Sequence, residues 1–399
     1  MNPRLRFKRD DGTDYPDWEE KKLGDICNIN PQTEKLDDKF IYIDLGCIEQ
    51  GEMLTKNIIT KTKAPSRAKR VLSKNDVLFQ SVRPHNLGHF HYKNIFDIQA
   101  VASTGFFQLR MINGLNSFLY QVLYTENFNK EVDVRCVGSN YPAINSSSFS
   151  EIVISLPCLE EQKKIGSFLS DIDEVILASD QEVKKLQELK KGAMQKIFSQ
   201  EVRFKRDDGT DYPDWEEKKL GDITSFIRNG FSYKEGNNKN FPVSRIETIS
   251  DRIVNYNRIG YAEFVPEDYL LKTGDILFSN INSLEHIGKT AFYESNSKLY
   301  HGMNLICLRP SDINNKFLFY LLNTETVKKI NYIHAKRAVS QCSISVSDIR
   351  SYKLHIPCLE EQQKIGDFLS DFDEAISLAK QELEKWKLLK KGLLQQMFV

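Results

Sequence analysis

The stretch RFKRDDGTDYPDWEEKKLGDI, residues 6–26, returns letter for letter at residues 203–223. Identity of that length inside one chain marks a duplicated architecture. Working outward, LPCLEEQKKIGSFLSDIDEVI at 156–176 is answered by IPCLEEQQKIGDFLSDFDEAI at 356–376, and LKKG at 189–192 by LKKG at 389–392. Each half is therefore a short entry segment, a variable insert (27–155, then 224–355) and a repeated carboxy-terminal stretch. The division reads 1–157 for entry and first insert, 158–200 for a spacer helix, 201–357 for entry and second insert, and 358–399 for a second spacer helix. The inserts share only a skeleton, NDVLFQ at 75–80 against GDILFS at 274–279, and AINSSSFSEIVISLP at 143–157 against SISVSDIRSYKLHIP at 343–357. One frame with two fillings implies one symmetric task for the frame and two versions of another task for the inserts.

Past Pro157, spacings of four and three pick out Ile165, Leu169, Ile172, Ile176, Ser179, Val183, Leu186, Lys190, Ala193 and Ile197. The equivalent set past Pro357 is Ile365, Leu369, Phe372, Ile376, Ala379, Leu383, Trp386, Lys390, Leu393 and Met397. Both are heptad seams, and Lys390 breaks the second where Lys190 breaks the first. A stripe that narrow, on a helix of roughly 60 Å, seeks another helix, and the available partner is its own copy. Antiparallel pairing would place the inserts at opposite ends of a rod. Glu160, Glu161, Glu360 and Glu361 stand where carboxylates favour a helix amino terminus. PDWEEK, at 16–21 and 213–218, reads as the opening of a helix or turn.

The 399 residues carry 55 Lys+Arg against 55 Asp+Glu with 40% hydrophobic residues, which suits globular domains and excludes a disordered or collagenous chain. Apolar runs are far shorter than the ~20 residues that span a bilayer, and the start MNPRLRFKRDDG has no apolar signal core, so a cytoplasmic protein without membrane attachment is expected. Seven cysteines without a CxxC pair favour neither a disulfide framework nor a zinc site.

Charge is uneven. The first insert holds 14 Lys+Arg and 12 Asp+Glu, the second 17 and 12, so the inserts are basic and the frame acidic. Lys61, Lys63, Arg67, Lys69, Arg70 and Lys74 crowd around Pro65 in a segment suited to lie along phosphates. After the apolar VLF comes QSVRPHNLGHFH, with Gln80, Arg83, His85, Asn86 and His89 at a strand exit. Arg pairs with guanine and Asn or Gln with adenine through base edges. The same place in the second insert offers Asn280, Asn282, Ser283, His286 and Lys289. A third cluster precedes each closing strand: Arg135, Ser139, Asn140 and Tyr141, then Lys336, Arg337, Ser340 and Gln341.

Catalytic signatures fail. There is no N/D-P-P-Y/F loop, no GxGxxG after a strand and no Gly-x-Ser-x-Gly; the GKT at 288–290 has Ser283 where a P-loop needs glycine. His85, His89 and His91 have no companion ligands at metal spacing. No chemistry, cofactor or metal is expected of this chain.

The duplicated frame, its PxLEEQxKIxxFLSDxDE run, the WExxxLGDI entry and inserts closing on a strand before proline resemble the specificity (S) subunit of type I restriction-modification systems, over essentially the whole chain. The resemblance implies a mixed α/β (α+β) fold: two target recognition domains with curved β-sheets, joined by two long antiparallel coiled-coil helices in an internal pseudo-twofold repeat. It implies that each domain reads half of a bipartite site in double-stranded DNA, with the helices setting the gap. It also implies two methyltransferase (M) subunits using S-adenosylmethionine, and restriction (R) subunits using ATP and magnesium. A rod of this length spans major grooves about 34 Å apart. Phe168, Phe198, Phe368 and Phe398, flanking the seam, are candidates for partner contact. A modification-only system would share the same subunit, and a coiled-coil scaffold whose inserts bind protein is the competing reading.

Overall fold

The repeated entry segment is extended where it meets its insert. Glu19–Lys22 pairs antiparallel with Val153–Leu156, and Glu216–Lys219 with Lys353–Ile356, so PDWEEK leads into a strand and not into the helix or turn expected of it. In this computed structural model the described residues are 3–398, apart from 33, 50, 94–95, 237–238, 251, 296 and 338–340. The chain divides into two compact units, Met1–Glu182 with Ala379–Val399, and Val183–Leu378. Each long helix, Leu159–Phe198 and Leu359–Met397, is thereby shared between the units, a division the linear repeat does not reveal.

In the first unit one four-stranded sheet runs in the order Cys27–Ile29, Phe106–Met111, Val77–Gln80, Phe90–His91. A second runs Asn57–Thr60, Lys39–Ile43, Ala100–Ser103, Ala68–Val71. The second unit gathers Thr224–Asn229, Ile306–Pro310, Ile276–Phe278, Thr290–Phe292, Ile253–Val254 and Ile249–Ser250 into one mixed sheet. The skeleton of the inserts has a physical cause. Asp76, fully buried, accepts from Arg110 Nε at 2.8 Å, Gln108 Nε2 at 2.6 Å and Ser73 N at 2.7 Å. Asp275, also buried, accepts from Arg309 Nε and Nη2, both at 2.7 Å, and from Lys272 N at 2.8 Å. A buried carboxylate must be paired, so each insert keeps an aspartate before its central strand and an arginine on the neighbour. Paired helices follow in each, the second capped by Thr125 (Glu126–Arg135) or Thr324 (Glu325–His334).

The identical frame letters are explained by a clasp repeated in both units. Glu161, buried completely, accepts from Arg6 Nε at 3.0 Å and Nη2 at 2.7 Å, and from the Trp18 indole at 3.1 Å. Glu361 takes the same three bonds from Arg203, at 3.2 and 2.7 Å, and Trp215, at 3.2 Å. Gln162 and Gln362 join the helix start to the insert, accepting from Leu115 N at 2.9 Å and Asn314 N at 2.8 Å. These glutamates thus do more than sit at the end of a dipole: they anchor the entry segment.

The seam residues Ile165, Leu169 and Ile172 pack with Leu394 and Met397 in the first unit; Ile365 and Leu369 pack with Met194 and Ile197 in the second. The start of one long helix therefore lies against the end of the other, an antiparallel pairing. Its polar breaks are ion pairs across that pairing. Lys390 donates to Asp173 at 2.5 Å and faces the Tyr124 ring, while Lys190 reaches Asp373 at 2.5 Å and faces Tyr320. Burial lowers the Lys190 pKa against the opposing pull of Asp373. Phe198 packs on Trp215 and Phe317, and Phe398, just past the end of its helix, on Trp18 and Phe118; both rings are partly buried, so each leans on a core at the end of a long helix.

Candidate nucleic-acid interface

Two clusters far apart in the sequence become neighbours at the exit of Val77–Gln80. Val82 bridges to Ala143, which also bridges to Val137; Arg83 N donates to Pro142 O at 2.6 Å and Ile144 N to Ser81 O at 3.1 Å. A cleft of about 990 Å³ opens there, lined by Arg67, Gln80, Arg83, Asn86 and Tyr141 among others. It draws on all three sequence clusters of the first insert. The Arg83 guanidinium lies 4.2 Å from the centroid of the exposed Tyr141 ring.

The candidate residues of this insert have different fates. Gln80 is buried, its amide donating to Val82 O at 2.8 Å and Arg83 O at 3.2 Å while its oxygen accepts from Gly88 N at 3.1 Å, so it braces the loop. His89 is corrected to a core residue: fully buried, stacked on Phe79 at 4.6 Å and accepting from Gln80 N at 3.1 Å, with burial pushing its pKa down to about 3. His85 and Asn86 are exposed on the turn Pro84–Asn86. Lys63, Arg67 and Lys69 are exposed, whereas Arg70 is half-buried, with burial lowering its pKa. Arg135 ends its helix paired to Glu131 one turn back; Ser139 and Asn140 are exposed.

The second unit builds the corresponding place from a three-stranded ribbon. Ile281–Asn282 pairs with Cys342–Ser343, which pairs with Lys336–Arg337. Its cleft, about 580 Å³, is lined by Asn229, Asn280, Asn304, Lys336 and Ser343 among others. Asn280 is buried there, its amide donating to Ile344 O at 3.4 Å. Asn282, aligned with Arg83, is spent on its own loop: it donates to Ser279 Oγ at 3.1 Å and accepts from Ser283 N at 2.8 Å. Ser283, Lys289, Lys336, Arg337 and Gln341 are exposed, His286 is half-buried, and Ser340 lies outside the described residues. Arg337 donates to the Tyr332 hydroxyl at 2.7 Å. Tyr332, Asn229 and Asn304 escaped the sequence reading because no local pattern links them to the loops they join.

On the frame, Phe168 and Phe368 are each 38% exposed and meet Phe7 and Phe204 edge-on at 5.6 and 5.5 Å. Among the described residues no group of three histidine, cysteine or acidic side chains is placed to hold a metal, and no helix is long and apolar enough to cross a membrane.

The family model described as the type I restriction modification DNA specificity domain matches twice, at residues 15–191 and 212–387. The putative type I restriction enzyme MjaX specificity subunit of Methanocaldococcus jannaschii is 42% identical over 210 residues, which is 50% of this chain; the chain spans about half, 49%, of that relative. The MjaVIII specificity subunit of the same organism is 27% identical over 419 residues, covering 97% of this chain and 94% of the relative. The solved S subunit from M. genitalium has a TM-score of 0.64 at 17% identity, covering 100% of this chain and 99% of its own; at that identity the likeness is one of fold. Two matches that together take in most of the chain, falling on the two copies of the repeat, decide the matter: the chain belongs to the type I restriction modification DNA specificity domain family.

Proposed function

We propose that the chain is the DNA-reading subunit of a type I restriction-modification complex, each unit reading one half of a split site in double-stranded DNA. The paired helices set the gap between the half-sites and dock two methyltransferase subunits, with Phe168 and Phe368 as equivalent contact points; restriction subunits join that assembly. The chain itself catalyses nothing. S-adenosylmethionine, ATP and magnesium belong to the partners, and the setting is the cytoplasm.

The observation that carries this reading is the pairing of sameness and difference. Two units share one clasp and one buried aspartate device, yet at the same strand exit one opens a cleft with arginines and the other a cleft rich in asparagine. Different polar sets at one place on one scaffold suit two half-sites of different sequence. The test is to co-express the chain with the methyltransferase encoded beside it and map methylated adenines on a plasmid library by single-molecule sequencing. A split motif of fixed gap is expected. Adding one turn to both long helices should change the gap and leave both half-sites intact. A stable complex that methylates no motif would favour a protein-binding scaffold.

A further inference from the structure

We infer that Arg83, held by Tyr141, reads one guanine in the half-site of the first unit. This rests on the DNA-reading role proposed above and adds a residue and a letter to it. Four observations converge on Arg83. Its backbone is left-handed, φ 53° and ψ 58°, a conformation that non-glycine residues adopt sparingly and that re-aims the side chain at the strand exit. The loop that imposes it is braced from three sides: Gln80 grips Val82 O and Arg83 O, Arg83 N bonds Pro142 O, and Asn86 N closes a turn onto Arg83 O at 3.0 Å. The guanidinium lies over the Tyr141 ring, 4.2 Å from its centroid, a cation–π contact that holds the fork at the cleft. And among the described residues no acceptor takes up its N–H groups, whereas Arg110 is spent on Asp76 and Arg135 on Glu131.

A planar fork of free donors, stacked on one face and set in a cleft, matches an acceptor pair at fixed spacing. In the major groove guanine O6 and N7 form that pair, and this bidentate contact separates guanine from every other base. A phosphate also accepts from arginine, but a contact that only supplies charge is served by lysine as well, while the fork is not. Tyr141 acts as a positioning residue.

The test uses the complex with its methyltransferase and the same plasmid library. Arg83→Ala and Arg83→Lys should both lower the preference for guanine at a single position of one half-site by about tenfold or more, leaving the other half-site as an internal control of folding. Arg83→Lys should retain the salt dependence of binding that Arg83→Ala reduces. Tyr141→Phe, which keeps the ring, should preserve the guanine preference, and Tyr141→Ala should relax it at the same position. A first half-site without guanine, retention of the letter by Arg83→Lys, or an equal loss at all positions would overturn the assignment while leaving the split motif standing. A wild-type complex that methylates no split motif would overturn this inference and the function it rests on together.

Discussion

The two recognition units are the same machine below the surface and different machines at the cleft. Asp76 with Arg110 and Asp275 with Arg309 hold the same pair of strands together, and Thr125 and Thr324 cap equivalent helices. Above that layer, the position occupied in one unit by Arg83, whose guanidinium has no acceptor among the described residues, holds an Asn282 tied to its own loop in the other. Buried polar groups leave little freedom, because an unpaired one costs as much as several good contacts contribute. Cleft residues answer to whatever enters, so they are free to differ. The frame lies at the other extreme: Arg6, Trp18 and Glu161 recur as Arg203, Trp215 and Glu361 with matching distances.

If the frames are equivalent, Glu161→Ala and Glu361→Ala should each destabilise their own unit by about 1–3 kcal/mol, since each leaves a buried indole donor unpaired and a partly buried arginine with only its backbone acceptors. Urea unfolding followed by hydrogen exchange in peptides from each unit measures the two losses. Values differing by more than about 1 kcal/mol would break the equivalence. A smaller effect should separate the units. The folded pKa is held down by burial at about 3 for His89 and about 4 for His91 in the first unit, and at about 4 for His301 in the second, against 6.5 when free. Below pH 6.5 the unfolded chain gains protons that the folded chain refuses. Stability present above pH 6.5 is therefore lost as pH falls toward 4, by about 1.4 kcal/mol per pH unit for each histidine. The first unit should accordingly lose about twice as much as the second between pH 6 and 5 in the same exchange experiment; equal losses would contradict the burial of one of the first pair. Smallest of all, Thr125→Ala and Thr324→Ala should each cost about 1 kcal/mol and leave the methylated motif unchanged. A change of motif would mean that the helices they cap take part in reading.

Much of this was legible in the chain itself. The repeat, the heptad seam and the polar clusters at strand exits follow from patterns of local spacing, and the two seams lie on the long helices Leu159–Phe198 and Leu359–Met397. Phe198 and Phe398 show what local spacing leaves open: a residue next to a heptad seam can face outward or lean on a core, and both lean on one while staying partly exposed. His89 was misread for a related reason. Its loop looks polar in one dimension, but Phe79, Tyr124 and the Gln80 amide enclose it in three.

By itself the sequence determined that there are two copies of one frame, that each carries its own insert, and that two long helices are built to pair. Those properties live in periodicity and identity, which need no fold to be seen. Tertiary structure alone decided that Lys190 and Lys390 close ion pairs across the helix pairing, that Glu161 and Glu361 are clasps, and that Arg83 meets Tyr141 in one cleft. Each joins residues distant along the chain, and such contacts arise only when burial forces polar groups to find partners wherever the packing has brought them.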